Sequence, residues 1–277
     1  MNYLQLDKLI MRALEEDMPM GDVTTDNIIP EHSKSKATLT AKQAGVVCGI
    51  DVAKRAFEML DPDVKFTAYF KDGDKVNPGD LMIEVSGNSR ALLKAERTAL
   101  NFMQRLSGIS TDTNRYATMI SDLKTKVVDT RKTTPGLRYL EKYAVSCGGG
   151  SNHRFSLSDG VLIKDNHIKA AGGIKNAVEL VRAKIPHTVK IEVETENMEM
   201  VEEALNSKVD IIMLDNMTVE KMAEAVKFIA GRALVEASGD IDDKKIRMVA
   251  ETGVDIISIG RITRSAGSLD ISMRFVE

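Results

Sequence analysis

Tryptophan is absent from the sequence, and aromatic residues account for only 4% of its 277 positions. A basic excess is missing as well, because 38 Lys and Arg residues stand against 41 Asp and Glu residues, which gives a formal net charge of −3. Proteins that bind nucleic acid generally carry a basic stripe, and those that bind single strands add aromatic side chains on which bases stack. This composition therefore argues against a general nucleic-acid binding protein.

Cysteine is scarce, since Cys48 and Cys147 are the only two and lie far apart in the sequence. Because they form no Cys-x-x-Cys pair, neither a zinc ribbon nor a disulfide framework is indicated. We expect two small buried thiols in a reducing compartment. Residues 1–17 lack the apolar core of a signal peptide, and no apolar run approaches the ~20 residues that span a bilayer. These features predict a cytoplasmic protein without a membrane partner.

Three common catalytic motifs are also missing: the Gly-x-Ser-x-Gly of serine hydrolases, the Walker A motif and the Gly-x-Gly-x-x-Gly of dinucleotide-binding folds. None of the four histidines pairs with another at zinc-site spacing. Serine hydrolysis, P-loop chemistry and Rossmann-type cofactor binding therefore lose support. The 43% hydrophobic content, with charges interspersed, is enough for one large domain and one smaller one.

The first part of the chain is typical of an α+β module. Residues 35–87 contain alternating apolar runs that predict strands, with a short helix over 52–60 between them. A long helical stretch over 90–123 follows, and we expect it to join the two domains.

The remainder alternates short Val- and Ile-rich runs with amphipathic helical segments. The runs are too short for helices and predict buried parallel strands, so the fold is an α/β barrel or a doubly wound sheet. A full barrel needs eight strands, so either the barrel is incomplete or two of its strands have no recognisable sequence pattern. The six predicted strands are Lys126–Val128, Val161–Ile163, Val189–Val193, Ile211–Leu214, Ala233–Val235 and Ile256–Ile259.

Residues capable of binding or catalysis follow each predicted strand. In α/β barrels the active site lies at these carboxyl ends, and phosphate often binds to the last two loops. In chain order the residues are Asp129-Thr130-Arg131-Lys132, Lys164-Asp165, Glu194, Asp215, Ser238-Gly239 and Gly260-Arg261.

The segment Asp129–Lys169 concentrates positive charge in a chain that is acidic overall. Four of its cations, Arg131, Lys132, Arg154 and Lys164, are expected to bind an anionic ligand, because Arg grips carboxylates or phosphates with paired hydrogen bonds and Lys adds a point charge. The other three, Arg138, Lys142 and Lys169, are expected to be solvated helix charges. The segment thus predicts a site for a small, multiply negative substrate.

The residues at the carboxyl ends of the last four predicted strands could have more than one function. Glu194 and Asp215 could bind Mg²⁺, directly or through water, could accept hydrogen bonds from sugar hydroxyls, or could form ion pairs with Lys164 or Lys190. The backbone N–H groups after the last two strands, at Ser238-Gly239 and Gly260-Arg261, could bind a phosphate.

A set of motifs that spans nearly the whole chain resembles the quinolinate phosphoribosyltransferase family. The motifs are Glu96-Arg97-Thr98-Ala99-Leu100-Asn101, Thr130–Gly136, Asn152-His153-Arg154, Lys164–His167, Glu192-Val193-Glu194, Leu214-Asp215-Asn216 and Glu236-Ala237-Ser238-Gly239. The resemblance implies an N-terminal α/β sandwich over 1–110, joined by the C-terminal segment 266–277, and an open, incomplete α/β barrel over 111–265. It also implies a homodimer with shared active sites, possible assembly into hexamers, and transfer of phosphoribose from phosphoribosyl pyrophosphate (PRPP) to quinolinate with Mg²⁺.

Residue roles follow from the same resemblance. Lys132, Lys164, Glu194 and Asp215 would be catalytic, and Glu194 and Asp215 would hold Mg²⁺, directly or through water or PRPP. The substrate-binding set would be Arg97, Thr130, Arg131, Lys132, His153, Arg154, Lys164, Glu194, Asp215, Ser238, Gly239 and Gly260. Arg97 would come from the neighbouring subunit. Asp240 departs from the usual small or neutral residue, and an acid there is unfavourable beside phosphate unless it points away.

Three other functions fit the same motifs less well. A related protein associated with molybdate transport (ModD-like) would not need the intact Thr130–Gly136 and Lys164–His167 motifs. A non-enzymatic binding protein on the same scaffold would not need every charged site position. A nicotinate phosphoribosyltransferase would hold one carboxylate, whereas the dense cation cluster favours two.

Overall fold

The computed structural model describes residues 3–276, which form two compact units. The first unit comprises residues up to Asp112, Pro135–Gly149 and the segment from Ser265 onward. The second comprises Thr113–Thr134 and Gly150–Arg264. The segment 135–149 lies inside the sequence range expected for the barrel, yet it packs with the first unit.

The first unit combines an antiparallel sheet with helices. Its elements are α1 (Tyr3–Asp17), α2 (Thr25–Ile28), β1 (Lys34–Ala41), β2 (Gly45–Val46), α3 (Ile50–Leu60), β3 (Lys65–Ala68), β4 (Lys75–Val76), β5 (Leu81–Asn88), α4 (Ser89–Met119), α5 (Arg138–Cys147) and β12 (Ile271–Val276). The sheet has the order β12-β1-β5-β3, and β2 pairs separately with β4. The helix α4 begins in this unit and ends in the second.

Strand β1 shows why this sheet forms. Its side chains alternate along the strand, and Ala37, Leu39 and Ala41 are fully buried while their neighbours are more exposed. The strand pairs on one side with β5 and on the other with β12, where Leu39 faces Met273. Residues near the end of the chain therefore extend a sheet begun near its start.

Buried polar contacts explain why α5 belongs to the first unit. Glu141 is fully buried and accepts hydrogen bonds from Nε and Nη2 of Arg105, at 3.2 and 2.9 Å. The Tyr143 hydroxyl donates to Asp72 Oδ2 at 2.9 Å. Lys142 is 0% exposed, so the expectation that it is a solvated helix charge is wrong. Leu140, Glu141, Ala144 and Val145 are buried as well, so α5 is covered by the first unit over most of its circumference and not on one face only.

The second unit is an open barrel of parallel strands. Its elements are β6 (Lys126–Val128), β7 (Val161–Ile163), α6 (Asp165–Ala171), α7 (Ile174–Arg182), β8 (Ile191–Thr195), α8 (Met198–Asn206), β9 (Ile211–Asp215), α9 (Val219–Ile229), β10 (Leu234–Ser238), α10 (Ile246–Glu251), β11 (Ile256–Ser258) and α11 (Arg261–Arg264). The six strands have the order β6-β11-β10-β9-β8-β7, and every pairing is parallel. This confirms the predicted incomplete α/β barrel, and the described residues add no seventh or eighth strand to this sheet.

The central strands bury both faces, as parallel strands do when helices cover the sheet. Val193, Ile212, Leu214, Ala237 and Ile257 lie in register on one face and are fully buried. On the other face, Met213 and Glu236 pair with each other and are only 5% and 1% exposed. No helix within residues 3–276 is both long enough and apolar enough to cross a membrane.

Candidate active site

The carboxyl ends of β7 and β8 carry an ion pair. Lys164 follows β7 directly, and its Nζ lies 2.5 Å from Oε2 of Glu194, which is the fourth residue of β8. Lys164 is exposed, whereas the Glu194 side chain is only 14% exposed. The ion pair that the sequence left as one alternative for Glu194 is thus present, with Lys164 as its partner.

A buried carboxylate organises the end of β6. Asp129 is fully buried, and its two oxygens accept hydrogen bonds from Asn152 Nδ2 at 2.6 Å and from the His153 N–H at 3.0 Å. These contacts fix the start of the segment that carries Arg154 beside the loop that carries Arg131. The buried Asp129 therefore fixes the position of the segment that carries Arg154.

Arg131 and Arg154 form a like-charge pair. Arg154 is half-buried and donates from Nη1 to the Gly160 carbonyl at 2.7 Å. Burial, and then the nearby charge of Arg131, lower the pKa of Arg154. The acids Glu192 and Asp159 offset this effect in part, and an anion bound to both guanidinium groups would offset it further. The arrangement is suited to a ligand with two carboxylates.

His153 faces a buried pair of glutamates. Its Nε2 lies 3.0 Å from Glu192 Oε2 and 3.6 Å from Glu236 Oε2. Its Nδ1 accepts the backbone N–H of Arg154 at 2.7 Å, so Nε2 carries the ring proton toward the acids. Burial, followed by the charge of Glu192, raises the pKa of Glu236 to about 8. Glu236 therefore holds a proton at neutral pH, which lets two carboxyl groups share one buried space.

The glutamate pair was not predicted from the sequence as a functional unit. Glu192 and Glu236 appeared only as members of longer motifs. The available signal was an acid in the middle of each of two apolar strands, at Ile191-Glu192-Val193 and Val235-Glu236-Ala237. Charged residues in such strands are almost never buried without a partner.

Lys132 is held where the loops after β6 and β11 meet. Its N–H donates to Thr130 Oγ1 at 3.0 Å, and its carbonyl accepts from Thr263 Oγ1 at 2.9 Å. A Cβ atom placed on Gly260 would lie 2.9 Å from Cδ of Lys132. Gly260 thus leaves room for the lysine stem, and Thr130, Lys132 and Gly260 form one local group.

The ends of β9 and β10 lie side by side. The Asn216 N–H donates to the Ser238 carbonyl at 3.0 Å, and Asn216 Nδ2 donates to Asp215 Oδ2 at 2.8 Å. Gly239 has φ +97°, and a Cβ atom there would lie 2.1 Å from Asn216 Oδ1. Only glycine fits both constraints. The Asp240 side chain is 96% exposed and lies 3.6 Å from Lys245 Nζ, so this acid points into solvent.

Residues 22–107 match the N-terminal domain of quinolinate phosphoribosyl transferase, and residues 109–274 match its C-terminal domain. The chain belongs to the quinolinate phosphoribosyltransferase family.

Individual members of the family are similar over nearly the full length. The probable nicotinate-nucleotide pyrophosphorylase (carboxylating) of Bacillus subtilis is 44% identical over 273 residues, which is 99% of this chain and 94% of the relative. The NadC structure from Streptococcus pyogenes has a TM-score of 0.96 at 45% identity and covers 100% of this chain and 99% of that one. A nicotinate-nucleotide pyrophosphorylase structure from Francisella tularensis has a TM-score of 0.96 at 40% identity, with coverage of 100% and 98%.

The structure places all but one of the site residues predicted for this family in the second unit. The exception is Arg97, which lies on α4 in the first unit and is exposed. The residues in the second unit are Thr130, Arg131, Lys132, His153, Arg154, Lys164, Glu194, Asp215, Ser238, Gly239 and Gly260.

Glu194 and Asp215 are suited to a hard divalent cation, because their carboxylate oxygens are the donors that Mg²⁺ prefers. Among the described residues they belong to no cluster of three metal-ligating side chains. Within residues 3–276, groups of at least three converging metal-ligating side chains are Cys48, Asp72 and Cys147, and His153, Glu192 and Glu236. A Mg²⁺ ion at Glu194 and Asp215 would therefore need further oxygens from water or from a phosphorylated substrate.

Proposed function

We propose that this chain transfers the phosphoribosyl group of PRPP to quinolinate, with loss of one carboxylate. The products are nicotinate mononucleotide, pyrophosphate and CO₂, in the de novo synthesis of NAD. The observation that carries the proposal is the set of cations in the loops between β6 and β8, where Arg131 follows β6 and Lys164 follows β7 and pairs with Glu194 on β8. A pyridine dicarboxylate and a polyphosphate together need this density of cations.

In this proposal, the quinolinate carboxylates are bound by Arg131, Arg154 and Lys132. Arg guanidinium groups bind carboxylates with two parallel hydrogen bonds, which orients the ring as well as holding it. Both ring nitrogens of His153 have partners inside the protein. Its direct contact with quinolinate stays a prediction, and the geometry favours a role in holding the Arg154 backbone.

The chemical step joins the ring nitrogen of quinolinate to the anomeric carbon as the bond to pyrophosphate breaks. The anomeric carbon becomes cation-like, and the carboxylates of Glu194 and Asp215 would stabilise this charge and hold the ribose hydroxyls. Lys164 and Lys132 would stabilise the departing pyrophosphate. Bound Mg²⁺, held by Glu194 and Asp215 directly or through water, would supply charge neutralisation on pyrophosphate. The positive ring nitrogen then lets the adjacent carboxylate leave as CO₂, and that ring carbon takes up a proton.

The 5-phosphate of PRPP would bind at the backbone of Ser238, Gly239 and Gly260. Gly239 and Gly260 have no side chain to block the approach of a phosphate to their N–H groups. The outward direction of Asp240 removes the electrostatic objection to an acid at this position.

The proposal extends to assembly and location. Arg97 is exposed on α4 and would complete the quinolinate site of a second copy, so the working unit would be a homodimer, with hexamers as a possible further assembly. We also place the protein in the cytoplasm, a reducing compartment in which the free thiols of Cys48 and Cys147 would persist.

The direct test is to incubate the purified chain with quinolinate, PRPP and Mg²⁺ and to measure nicotinate mononucleotide, pyrophosphate and CO₂ in equal amounts. Nicotinate serves as the control substrate because it lacks one carboxylate. Turnover of nicotinate without turnover of quinolinate would contradict the proposal. Binding of quinolinate without turnover of either substrate would favour the non-enzymatic alternative.

A further inference from the structure

Two thiols and a carboxylate that are distant in sequence converge inside the first unit. Cys48 follows β2, Asp72 lies in the turn between β3 and β4, and Cys147 is the last residue of α5. One ligand atom from each lies within 4.8 Å of the others. Both cysteines are free, with Cys48 buried and Cys147 half-buried. None of the three residues belongs to the proposed substrate site.

We propose that Cys48, Asp72 and Cys147 bind one thiophilic divalent metal ion of the Zn²⁺ type. Zinc binds cysteine sulfur at about 2.3 Å, so two sulfurs in a tetrahedral centre lie about 3.8 Å apart. The observed spacing is close enough that small rotations of the side chains bring the donors into place. Three protein ligands leave the fourth position to water.

The carboxylate is already oriented by neighbouring groups. Tyr143 donates its hydroxyl to Asp72 Oδ2 at 2.9 Å, and the Ile50 N–H donates to Asp72 Oδ1 at 3.0 Å. Metal-ligating carboxylates are characteristically held by such outer hydrogen bonds, which fix their direction. The cluster therefore has both the ligands and the supporting contacts of a metal site.

The half-buried Asp72 is suited to a cationic partner. No Lys, Arg or His among residues 3–276 forms an ion pair with it. A disulfide between the cysteines would leave the carboxylate without any cation beside it, whereas a divalent ion would bind it directly. The two thiols would lose their protons on binding, so the net charge of the cluster would not change. The ion would tie together the loop after β2, the turn before β4 and the end of α5, and would stabilise the folded chain.

Cobalt provides the test, because a cobalt–thiolate bond gives a near-ultraviolet charge-transfer band that oxygen or nitrogen ligands do not give. The 277-residue chain is reduced, stripped with a chelator and titrated with Co²⁺ alone. We expect the thiolate band and tetrahedral visible bands to saturate at one ion per chain, and Zn²⁺ to displace them. The thermal midpoint of unfolding should rise with either ion.

Variants connect the signal to the three residues. C147S removes one of the two cobalt–thiolate bonds, so the charge-transfer band should lose at least half of its intensity. Y143F removes an outer hydrogen bond to the carboxylate, which typically costs roughly 10–100-fold in metal affinity. D72N removes a ligand and should weaken binding at least as much. D74N is the matched control, since Asp74 lies in the same turn outside the cluster and caps the Lys71 N–H. A wild-type chain with both thiols reactive and no thiolate band would overturn the proposal, as would equal effects of D72N and D74N.

Discussion

Nζ of Lys164 and Oε2 of Glu194 lie 2.5 Å apart, across the neighbouring strands β7 and β8. Each charge therefore neutralises the other. A pyrophosphate group entering the site would compete with Glu194 for the lysine. The released carboxylate of Glu194 would then face the ribose. Lys164 would stabilise the departing pyrophosphate, and Glu194 would stabilise the positive charge on the anomeric carbon.

This relationship predicts a large effect of K164A on turnover. Loss of the ammonium should lower kcat by about 10²-fold, because a preorganised charge on the leaving group is typically worth that much. Steady-state kinetics with both substrates measures the effect. K169A is the matched control, since Lys169 is 76% exposed and pairs only weakly with Asp165 at 3.5 Å. Equal kinetics of the two variants would remove Lys164 from the mechanism.

The Arg131–Arg154 pair predicts a specific change in quinolinate affinity. R131A should raise the KM for quinolinate roughly ten- to hundredfold, since a hydrogen bond to a charged group contributes about 1.5–3 kcal/mol. The KM for PRPP should change much less. R131K should recover only part of the affinity, because lysine cannot form the paired hydrogen bonds. An unchanged quinolinate KM in R131A would mean that the carboxylates bind elsewhere.

The barrel was predictable because its signals are local. Each of the six short Val- and Ile-rich runs is a parallel strand in the structure. Lys126–Val128 and Val161–Ile163 have the predicted bounds, and the other four differ from prediction at one or both ends. The strand Ile211–Asp215 begins at its predicted residue, and Leu234–Ser238 is displaced toward its carboxyl end. A short continuous apolar run indicates a strand that is buried on both faces, and this signal can be recognised from the local sequence alone.

Contacts between distant segments were not predictable in the same way. Lys142 has the sequence context of a solvated helix residue, and its burial depends on how α5 packs in the first unit. Cys48 and Cys147 gave no motif because their proximity arises from the fold alone. The same holds for Glu192 and Glu236, which meet only when β8 and β10 enter the barrel.

Gly239 should be intolerant of any side chain. A Cβ atom in G239A would lie 2.1 Å from Asn216 Oδ1 while φ stays at +97°. G231A is the matched variant for the backbone strain alone, because Gly231 has φ +73° and nothing lies within 4 Å of its added Cβ. We expect G231A to lose about 1–3 kcal/mol and G239A to lose more, with a higher KM for PRPP as well. Urea unfolding and kinetics measure both, and equal stabilities would contradict the close contact.

Glu236 predicts a pH-dependent stability. Its pKa is raised from 4.5 to about 8 in the folded chain, chiefly by burial and then by Glu192. The folded state thus keeps a proton that the unfolded state releases above pH 4.5. The contribution of this protonated side chain to the free energy of unfolding is fully present below pH 4.5 and is lost as the pH rises toward about 8.

The E236Q variant removes this proton while keeping the shape of the side chain. Its unfolding free energy should fall less steeply with pH than that of the wild type between pH 4.5 and 8, by up to about 1.4 kcal/mol per pH unit. E202Q is the control, since Glu202 is exposed on α8. Parallel curves for wild type and E236Q would show that Glu236 is ionised in the fold.

Subunit mixing tests whether Arg97 completes the site of a second copy. R97A and K164A chains should each be nearly inactive, since each lacks a cation of the proposed site. In a mixed dimer, one of the two sites would combine an intact Arg97 from one chain with an intact Lys164 from the other. Random mixing in equal amounts gives about half mixed dimers, each with one of its two sites intact. About a quarter of wild-type activity should therefore return after the chains exchange. Mixed dimers verified by differential tags but without recovered activity would show that Arg97 acts within its own chain or not at all.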